Sequence, residues 1–241
     1  MSNDSTNIIV GLTIGTQITS IPSYFLYGCI AFDQPLILPS NITSIGDNFL
    51  DSCSSFNQPL TLLSNITSIG NRFLASCRSF NQSLTLPSSI TSIGNAFLSG
   101  NTSFNQSLTL PSSLTSVGIN FLASCSSFNQ SLTLPSNITS IGNSFLSSCS
   151  SFNQSLTLPS NITSIGSSFL SNCDSMIGEV KVGSLAATKA TSSNNSFATY
   201  SSTAACYTTG IKIAGSSRNA WLLRFSKRTS SPYRKLVDAG H

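Results

Sequence analysis

One internal repeat, with a period of about 24 residues, constrains this chain more than any other feature of its sequence. The tripeptide Phe-Asn-Gln recurs along the chain, and Phe-Asp-Gln is a variant of it. The register predicts seven coils that start at residues 8, 32, 56, 80, 104, 128 and 152, and an eighth that begins at 176. A fixed period of this length is typical of proteins whose repeats stack on one another.

Each coil carries apolar residues at positions 1, 5, 7, 11, 14, 18, 19 and 22, counted from the Phe. Leu-Thr-Leu at positions 5–7 alternates as a strand does, and the Pro that usually follows ends that strand. Ile-Thr-Ser-Ile at positions 11–14 predicts a second extended stretch. We expect the Gly at position 15 to adopt a positive φ, and positions 16–22 to form a short helical turn. One coil cannot bury this apolar face alone, so the coils must stack.

The pattern therefore predicts a β-rich solenoid of right-handed coils with a parallel sheet over residues 1–175. Residues 176–241 break the period and predict a small α+β cap. Charge divides the chain at the same place. Residues 1–173 contain two arginines and four aspartates, whereas residues 174–241 contain nine Lys and Arg against three acidic residues. An electrostatic partner is therefore expected to contact the C-terminal part.

The segments Leu-Thr-Leu-Pro-Ser, Ile-Thr-Ser-Ile-Gly and Phe-Leu-Ser-Ser-Cys-Ser-Ser-Phe-Asn-Gln resemble the BspA-like leucine-rich repeats of bacterial surface proteins. Phe-Asn-Gln-Pro-Leu at 56–60 is also similar to FNIP repeats. The resemblance implies a leucine-rich-repeat solenoid with an adhesive or scaffold role and no enzyme activity. The opening Ile8–Gly15 and the tail Ser231–Leu236 are similar to bacteriophage products that carry such repeats, which implies a virion-associated protein.

No targeting segment is evident in the sequence. No apolar run reaches the length of roughly 18 residues that a membrane span needs, so no membrane span is expected. The first seven residues lack the basic and apolar regions of a signal peptide. The expected location is the virion or the cytoplasm of the host, and the cell surface is the alternative.

The cysteines and the amide side chains each recur at one position of the coil. Six of the seven cysteines occupy position 22, where the fourth coil has Asn101. We expect buried free thiols, because no close Cys pair suits a metal and parallel side chains rarely reach disulfide geometry. Cys206 lies outside this column. The Asn and Gln of positions 2 and 3 are expected to satisfy backbone groups of the turn rather than to bind a ligand.

Two threonine columns are the candidate binding surface of the repeats. Alternation in Leu-Thr-Leu points the position-6 side chains outward, and hydroxyls in a regular array suit a glycan, a protein or even ice. The alternative is that Thr is simply a good strand former on a solvated face. Position 6 comprises Thr61, Thr85, Thr109, Thr133 and Thr157, and position 12 comprises Thr43, Thr67, Thr91, Thr115, Thr139 and Thr163.

The sequence offers little for catalysis and no cofactor site. The one histidine is His241, so a Ser-His-Asp triad would depend on a terminal base. Asp47 and Asp51 are the closest carboxylates in the repeats, and they do not form the supported pair that glycoside hydrolysis needs. No phosphate-binding loop or dinucleotide fingerprint is present. We therefore predict a protein that is not an enzyme.

The C-terminal region predicts a last strand at Glu179–Val182, a strand within Thr208–Ala214 and an amphipathic helix at Ser216–Phe225, on which Trp221 and Phe225 share a face. A basic, aromatic tail follows the helix. It suits a cap with a charged edge, a docking segment for a partner or, less favoured, a nucleic-acid contact. The candidate contact residues here are Arg224, Arg228, Tyr233, Arg234 and Lys235.

The N-terminal edge of the stack is predicted to be apolar and open. The side chains expected to face that edge are Ile8, Leu12, Ile14, Ile18, Ile21 and Phe25. Because bare apolar edges aggregate, we expect a second copy of the chain, a virion subunit or another protein to cover it.

Overall fold

The computed structural model describes residues 12, 14–176, 179–182, 206–208 and 223–227 of the chain. Its main feature is a column of seven two-residue strands of sequence Ser-Ile or Ser-Val, each one repeat after the last. They form one sheet from Ser20 to Ile93 and a second from Ser116 to Ile165, and within each sheet neighbouring strands pair in parallel with no shift in register, as in Ser20 with Ser44 and Ile45 with Ile69. The seven strands enclose six turns of the solenoid. The predicted parallel β-solenoid is confirmed, and its handedness stays a prediction.

The Leu-Thr-Leu segments form a second face of the solenoid. Some of them are regular strands, and these also pair in parallel, as in Thr85 with Thr109. The strands are β1 (Ser20–Ile21), β2 (Ser44–Ile45), β3 (Ser68–Ile69), β4 (Leu84–Thr85), β5 (Ser92–Ile93), β6 (Leu108–Thr109), β7 (Ser116–Val117), β8 (Ser140–Ile141), β9 (Leu156–Leu158), β10 (Ser164–Ile165), β11 (Glu179–Val182), β12 (Cys206–Thr208) and β13 (Leu223–Lys227).

Two columns of phenylalanine rings run through the core. The position-18 column extends from Phe25 to Phe169, and its rings stack with centroids 5.3–5.9 Å apart. The position-1 column extends from Phe32 to Phe152 at 5.8–6.0 Å. From Phe49 and Phe56 onward every ring in the two columns is fully buried. Each coil thus buries its rings between those of its two neighbours.

Positions 16–22 do not form the predicted helical turn; within the described residues the chain has no helix. Instead, positions 17, 19 and 21 have positive φ in all seven coils, including the bulky Leu50 (φ 55°) and Leu98 (φ 54°). Alternating signs of φ keep this corner flat enough to stack. Its N–H groups therefore donate to neighbouring coils, as from Leu98 to the Phe73 carbonyl at 3.0 Å. These bonds between coils offset the cost of the left-handed residues.

The position-15 glycines also differ from expectation, because none of them has a positive φ. Glycine is needed there for space. A Cβ on Gly94 would lie 2.5 Å from Asn71 N, and one on Gly142 would lie 2.5 Å from Gly118 C. The backbones of successive coils therefore meet at this corner too closely for any side chain.

The first coil has Pro22 at position 15. In every later coil except that of Gly118, the Gly N–H at this position donates a hydrogen bond to the preceding coil, as from Gly46 to the Ile21 carbonyl at 2.9 Å. Proline has no such N–H, and its ring would occupy the space that glycine leaves free. A second copy therefore cannot stack on this edge in the register of the repeat.

The edge is also less exposed than the sequence predicts. Ile14 and Ile21 are buried, and Leu12 and Phe25 pack partly against the core. Ile18 is exposed, and Ile8 lies outside the described residues. The prediction of an open apolar edge is therefore wrong for Ile14 and Ile21, since they turn into the stack rather than toward its end.

The predicted last strand is present as β11, which pairs in parallel with β9 and places Lys181 beside Thr157. β13 then pairs antiparallel with β11, and β12 with β13. β13 contradicts the last three residues of the predicted helix at Ser216–Phe225, because pairing with an open sheet edge outweighs a weak amphipathic pattern, and residues 216–222 of that helix lie outside the described residues. Trp221 and residues 209–214 of the predicted strand lie outside the described residues. The division at residue 175 stays a prediction.

Candidate recognition surface

The position-6 threonines form one exposed column on the Leu-Thr-Leu face. All five are exposed, while the leucines on either side of each are buried. At a strand spacing of ~4.8 Å the five hydroxyls extend over roughly 19 Å. None of these hydroxyls donates a hydrogen bond to another described residue, so none of the five is occupied within the described stack. Ile37 precedes the column, and the backbone of Lys181 pairs in register with Thr157 at its other end.

The position-12 threonines are also exposed, but four of their six hydroxyls donate hydrogen bonds inside the protein, and only those of Thr91 and Thr115 have none with a described residue. Thr67 donates to the Thr43 carbonyl at 3.3 Å, and Thr163 donates to the Thr139 carbonyl at 3.0 Å. Thr43 and Thr139 make the same bond to the coil before them. This column stabilises the stack, so the position-6 column is the better candidate for recognition.

The Asn and Gln columns have the structural role that the sequence predicts. From Asp33 to Asn129, the Oδ1 of the position-2 side chain accepts a bond from the backbone N–H of the next coil, as Asn57 does from Asn81 at 2.9 Å. The position-3 amide joins the same acceptor, as Gln82 Nε2 donates to Asn57 Oδ1 at 3.2 Å. Each amide thus closes a turn that would otherwise leave a backbone donor unpaired.

The position-22 cysteines form a column of free thiols, as expected. Each thiol from Cys53 onward donates to a Leu carbonyl of the preceding coil, as Cys149 does to Leu122 at 3.0 Å. Burial is the first cause that raises the pKa of Cys53 and of Cys149 to about 12. At neutral pH these thiols stay protonated and act as small apolar donors.

Asn101 interrupts the thiol column. Its side chain is fully buried, and neither Nδ2 nor Oδ1 has a hydrogen-bond partner. The thiol expected here would donate to the Leu74 carbonyl, as Cys125 donates to the Leu98 carbonyl at 3.0 Å. A buried amide without partners costs about 1–3 kcal/mol. The fourth coil is therefore a weak point of the stack.

Replacing Asn101 with Cys is expected to raise the free energy of unfolding by about 1–3 kcal/mol, because it removes the unpaired amide and restores the thiol donor. Urea denaturation followed by far-UV circular dichroism measures the change. The matched control is Cys149→Asn, which should lower stability by a similar amount. Equal stability of Cys149→Asn and the unmodified chain would show that a buried amide is tolerated at this position.

One ion pair stands out on the corner of the solenoid. Arg72 Nε lies 2.6 Å from Asp51 Oδ2, and Nη2 lies 3.2 Å from Oδ1. Asp51 is fully buried, whereas 48% of the Arg72 side chain is exposed. The hydrogen bond to Asp51 is the first cause that raises the pKa of Arg72. Sequence reasoning missed this pair, although both residues depart from the small or short polar side chains that most other coils place at positions 17 and 20.

The two carboxylates considered for catalysis both have structural partners. Asp51 binds Arg72, and Asp47 Oδ1 accepts bonds from Asn71 N at 2.7 Å and from Asn71 Nδ2 at 3.2 Å. The single histidine of the chain, His241, lies outside the described residues. Among residues with described positions, no group of three His, Cys, Asp or Glu side chains could hold a metal ion.

The C-terminal candidates are only partly described. Arg224 lies in β13, where its backbone pairs with Glu179 of β11. The strand order β9, β11, β13 puts Thr157 and Arg224 two strands apart in one sheet. Arg228, Tyr233, Arg234 and Lys235 lie outside the described residues. In the part of the chain that the structure describes, no helix is long and apolar enough to span a bilayer.

Comparison with protein families matches this architecture to the BspA type leucine-rich repeat region, in six copies over residues 4–127 and 67–204. The chain belongs to the BspA-type leucine-rich repeat family. The family explains the parallel coils and the inward Leu, Ile and Phe columns. Membership is consistent with a non-enzymatic binding or structural role, and leucine-rich repeats present surfaces suited to binding proteins.

Among solved structures, the chain is similar to a leucine-rich repeat protein from Bacteroides ovatus ATCC 8483. The two share 19% sequence identity with a TM-score of 0.44, over 70% of this chain and 54% of that one. The chain thus spans about half the length of that protein. No curated protein matches the chain.

Proposed function

We propose that this BspA-type repeat protein is a non-enzymatic binding module that recognises a protein or glycan surface through the position-6 threonine column. The observation that carries the proposal is the difference between the two threonine columns. Both are exposed, but hydroxyls donate to carbonyls of the stack only in the position-12 column, at Thr43, Thr67, Thr139 and Thr163. The position-6 hydroxyls are held in register by parallel strands and have no described partner.

The surface around this column suits a polar ligand. Position 4 adds exposed Ser or Pro side chains beside the threonines, and positions 4–8 carry no charged residue from Phe32 to Leu158. Hydroxyl groups that are already fixed by the strands lose little side-chain entropy when a ligand binds. The same geometry leaves little to drive binding of a charged or strongly apolar ligand at this face.

The setting we propose is a virion-associated recognition protein, and a bacterial cell-surface adhesin is the alternative. What supports the first is the similarity of the Ile8–Gly15 and Ser231–Leu236 segments to phage products. In either setting the repeat face would contact the ligand while the basic C-terminal residues contact a partner protein.

The test compares two double variants in the same two coils. Thr85→Arg with Thr109→Arg blocks the position-6 column, and Thr91→Arg with Thr115→Arg adds the same charge to the position-12 column. The probes are a printed array of defined oligosaccharides and an array of purified bacterial surface proteins. We expect the first variant to lose at least about tenfold in affinity for the probes that the unmodified chain binds.

The control variant should bind as the unmodified chain does, and urea denaturation should show that both variants are folded. Equal loss in both variants, or unchanged binding in the first, would contradict the assignment of the position-6 column. Failure of the unmodified chain to bind any probe on either array would contradict the proposed function itself.

A further inference from the structure

The corner of the first coil carries large side chains where later coils have small ones. Tyr24, Tyr27 and Ile30, at positions 17, 20 and 23, are exposed to 64%, 51% and 50%. Apart from two arginines of the third coil, the same positions in the other coils hold only small or short polar residues. These are Asn48, Asp51, Ser54, Ala75, Ala96, Ser99, Thr102, Asn120, Ala123, Ser126, Ser144, Ser147, Ser150, Ser168, Ser171 and Asp174.

Comparison of the same position in other coils shows which side chains the fold requires at this corner. Ser144 adopts φ 58° at position 17, much as Tyr24 adopts φ 63°. Small residues therefore satisfy the backbone of this corner, and stacking does not require the aromatic rings. The two tyrosine rings pack edge to face, with centroids 5.7 Å apart and planes at 86°. An exposed aromatic pair that the fold does not need is typical of a binding surface.

The two arginines of the described repeats lie on the same corner. Arg72 is at position 17 and Arg78 at position 23 of the third coil, about 10 Å along the stack from the tyrosines. Arg72 donates hydrogen bonds from Nε and Nη2 to the Asp51 carboxylate, and its Nη1 remains available to a partner's carboxylate. Arg78 is exposed, and its side chain has no hydrogen bond or ion pair with a described residue. Asp51 offsets one of the two positive charges.

We propose that Tyr24, Tyr27, Ile30, Arg72 and Arg78 form a docking patch for an acidic, apolar segment of a partner protein. The apolar side chains of that segment pack on the tyrosines and Ile30, and its carboxylates pair with Arg78 and the free edge of Arg72. Tyrosine and arginine are the residue types that most often dominate protein interfaces. The charge of the patch selects an acidic partner.

This patch is separate from the threonine column, which lies at position 6 of the coil. A second copy of this chain is a poorer occupant. In a two-fold contact the patch would face itself, so both copies would bring the same net positive charge to one interface. Because the patch and the threonine column lie at different positions of the coil, this proposal does not depend on the function proposed for that column.

Fluorescence polarisation with three labelled 12-residue peptides tests the proposal on the full chain. One peptide alternates Glu with Leu and Phe, the second replaces Glu with Lys, and the third replaces Glu with Ser. We expect the acidic peptide alone to bind, with an affinity that falls as salt increases. Tyr24→Ser with Tyr27→Ser should weaken it at least about tenfold, and Arg78→Ser should weaken it and reduce the salt dependence.

These variants carry residues that other coils already hold at the same positions, so we expect them to fold. Ile119→Asn, which removes an exposed apolar side chain elsewhere on the stack, is the control and should bind as the unmodified chain does. Absence of binding by the acidic peptide, or equal binding of the Lys or Ser peptide, would overturn the proposal. So would a dimer in light scattering that Tyr24→Ser with Tyr27→Ser abolishes, since the occupant would then be a second copy.

Discussion

Gly94→Ala is expected to lower the free energy of unfolding by more than about 3 kcal/mol, although it adds one methyl group. The new Cβ would lie 2.5 Å from Asn71 N, from Gly70 C and from Gly70 O. All three are backbone atoms, so no side-chain rotation relieves the overlap. Two coils must separate at this corner, and the hydrogen bond from Gly94 N to the Ile69 carbonyl at 3.0 Å is lost or strained.

Urea denaturation measured by far-UV circular dichroism gives the change in stability. Gly15→Ala is the matched control, because nothing lies within 4 Å of a Cβ at Gly15. We expect this control to stay within about 0.5 kcal/mol of the unmodified chain. A Gly94→Ala chain as stable as the control would mean that successive coils do not approach so closely in solution.

Phe97→Ala is the second substitution with a large expected effect, a loss of about 3–5 kcal/mol. Phe97 is fully buried in the middle of the position-18 column. It stacks on Phe73 at 5.4 Å and on Phe121 at 5.5 Å, with planes within 9° in each case. The substitution removes both ring contacts and leaves a cavity that the neighbouring coils are too regular to fill.

The same substitution at the end of the column provides the comparison. Phe25 is only partly buried, and among the described residues it stacks on one ring, that of Phe49, at 5.9 Å. Phe25→Ala should therefore cost clearly less than Phe97→Ala in the same urea experiment. Equal costs at the two positions would show that the loss does not depend on stacking between neighbouring coils.

Much of the architecture could be predicted because the same pattern of apolar and polar residues recurs in seven coils. The Phe, Leu and Ile columns are buried as their spacing indicates, and the Asn column pairs with the next turn. The C-terminal region was not predictable in this way. Its pattern occurs once, and the strand Leu223–Lys227 forms there by pairing with an edge that the sequence does not display.

The candidate surfaces likewise have some features that the sequence predicts and others that depend on the contacts between coils. Outward-facing threonines at position 6 follow from strand alternation alone, whereas the free hydroxyls there and the bonded hydroxyls at position 12 depend on distances between coils. The ion pair of Asp51 with Arg72 joins two different coils. Its only signal in the sequence is that both residues depart from the repeat.

The sequence by itself determined the length of the coil, the parallel stack and which side chains are buried, because a periodic apolar pattern can be buried in few ways. Only the tertiary structure decided why position 15 is glycine, how the corner avoids a helix and which hydroxyls remain free. Those properties depend on how closely one coil approaches the next. That distance results from the packing of whole coils, which no local pattern of residues specifies.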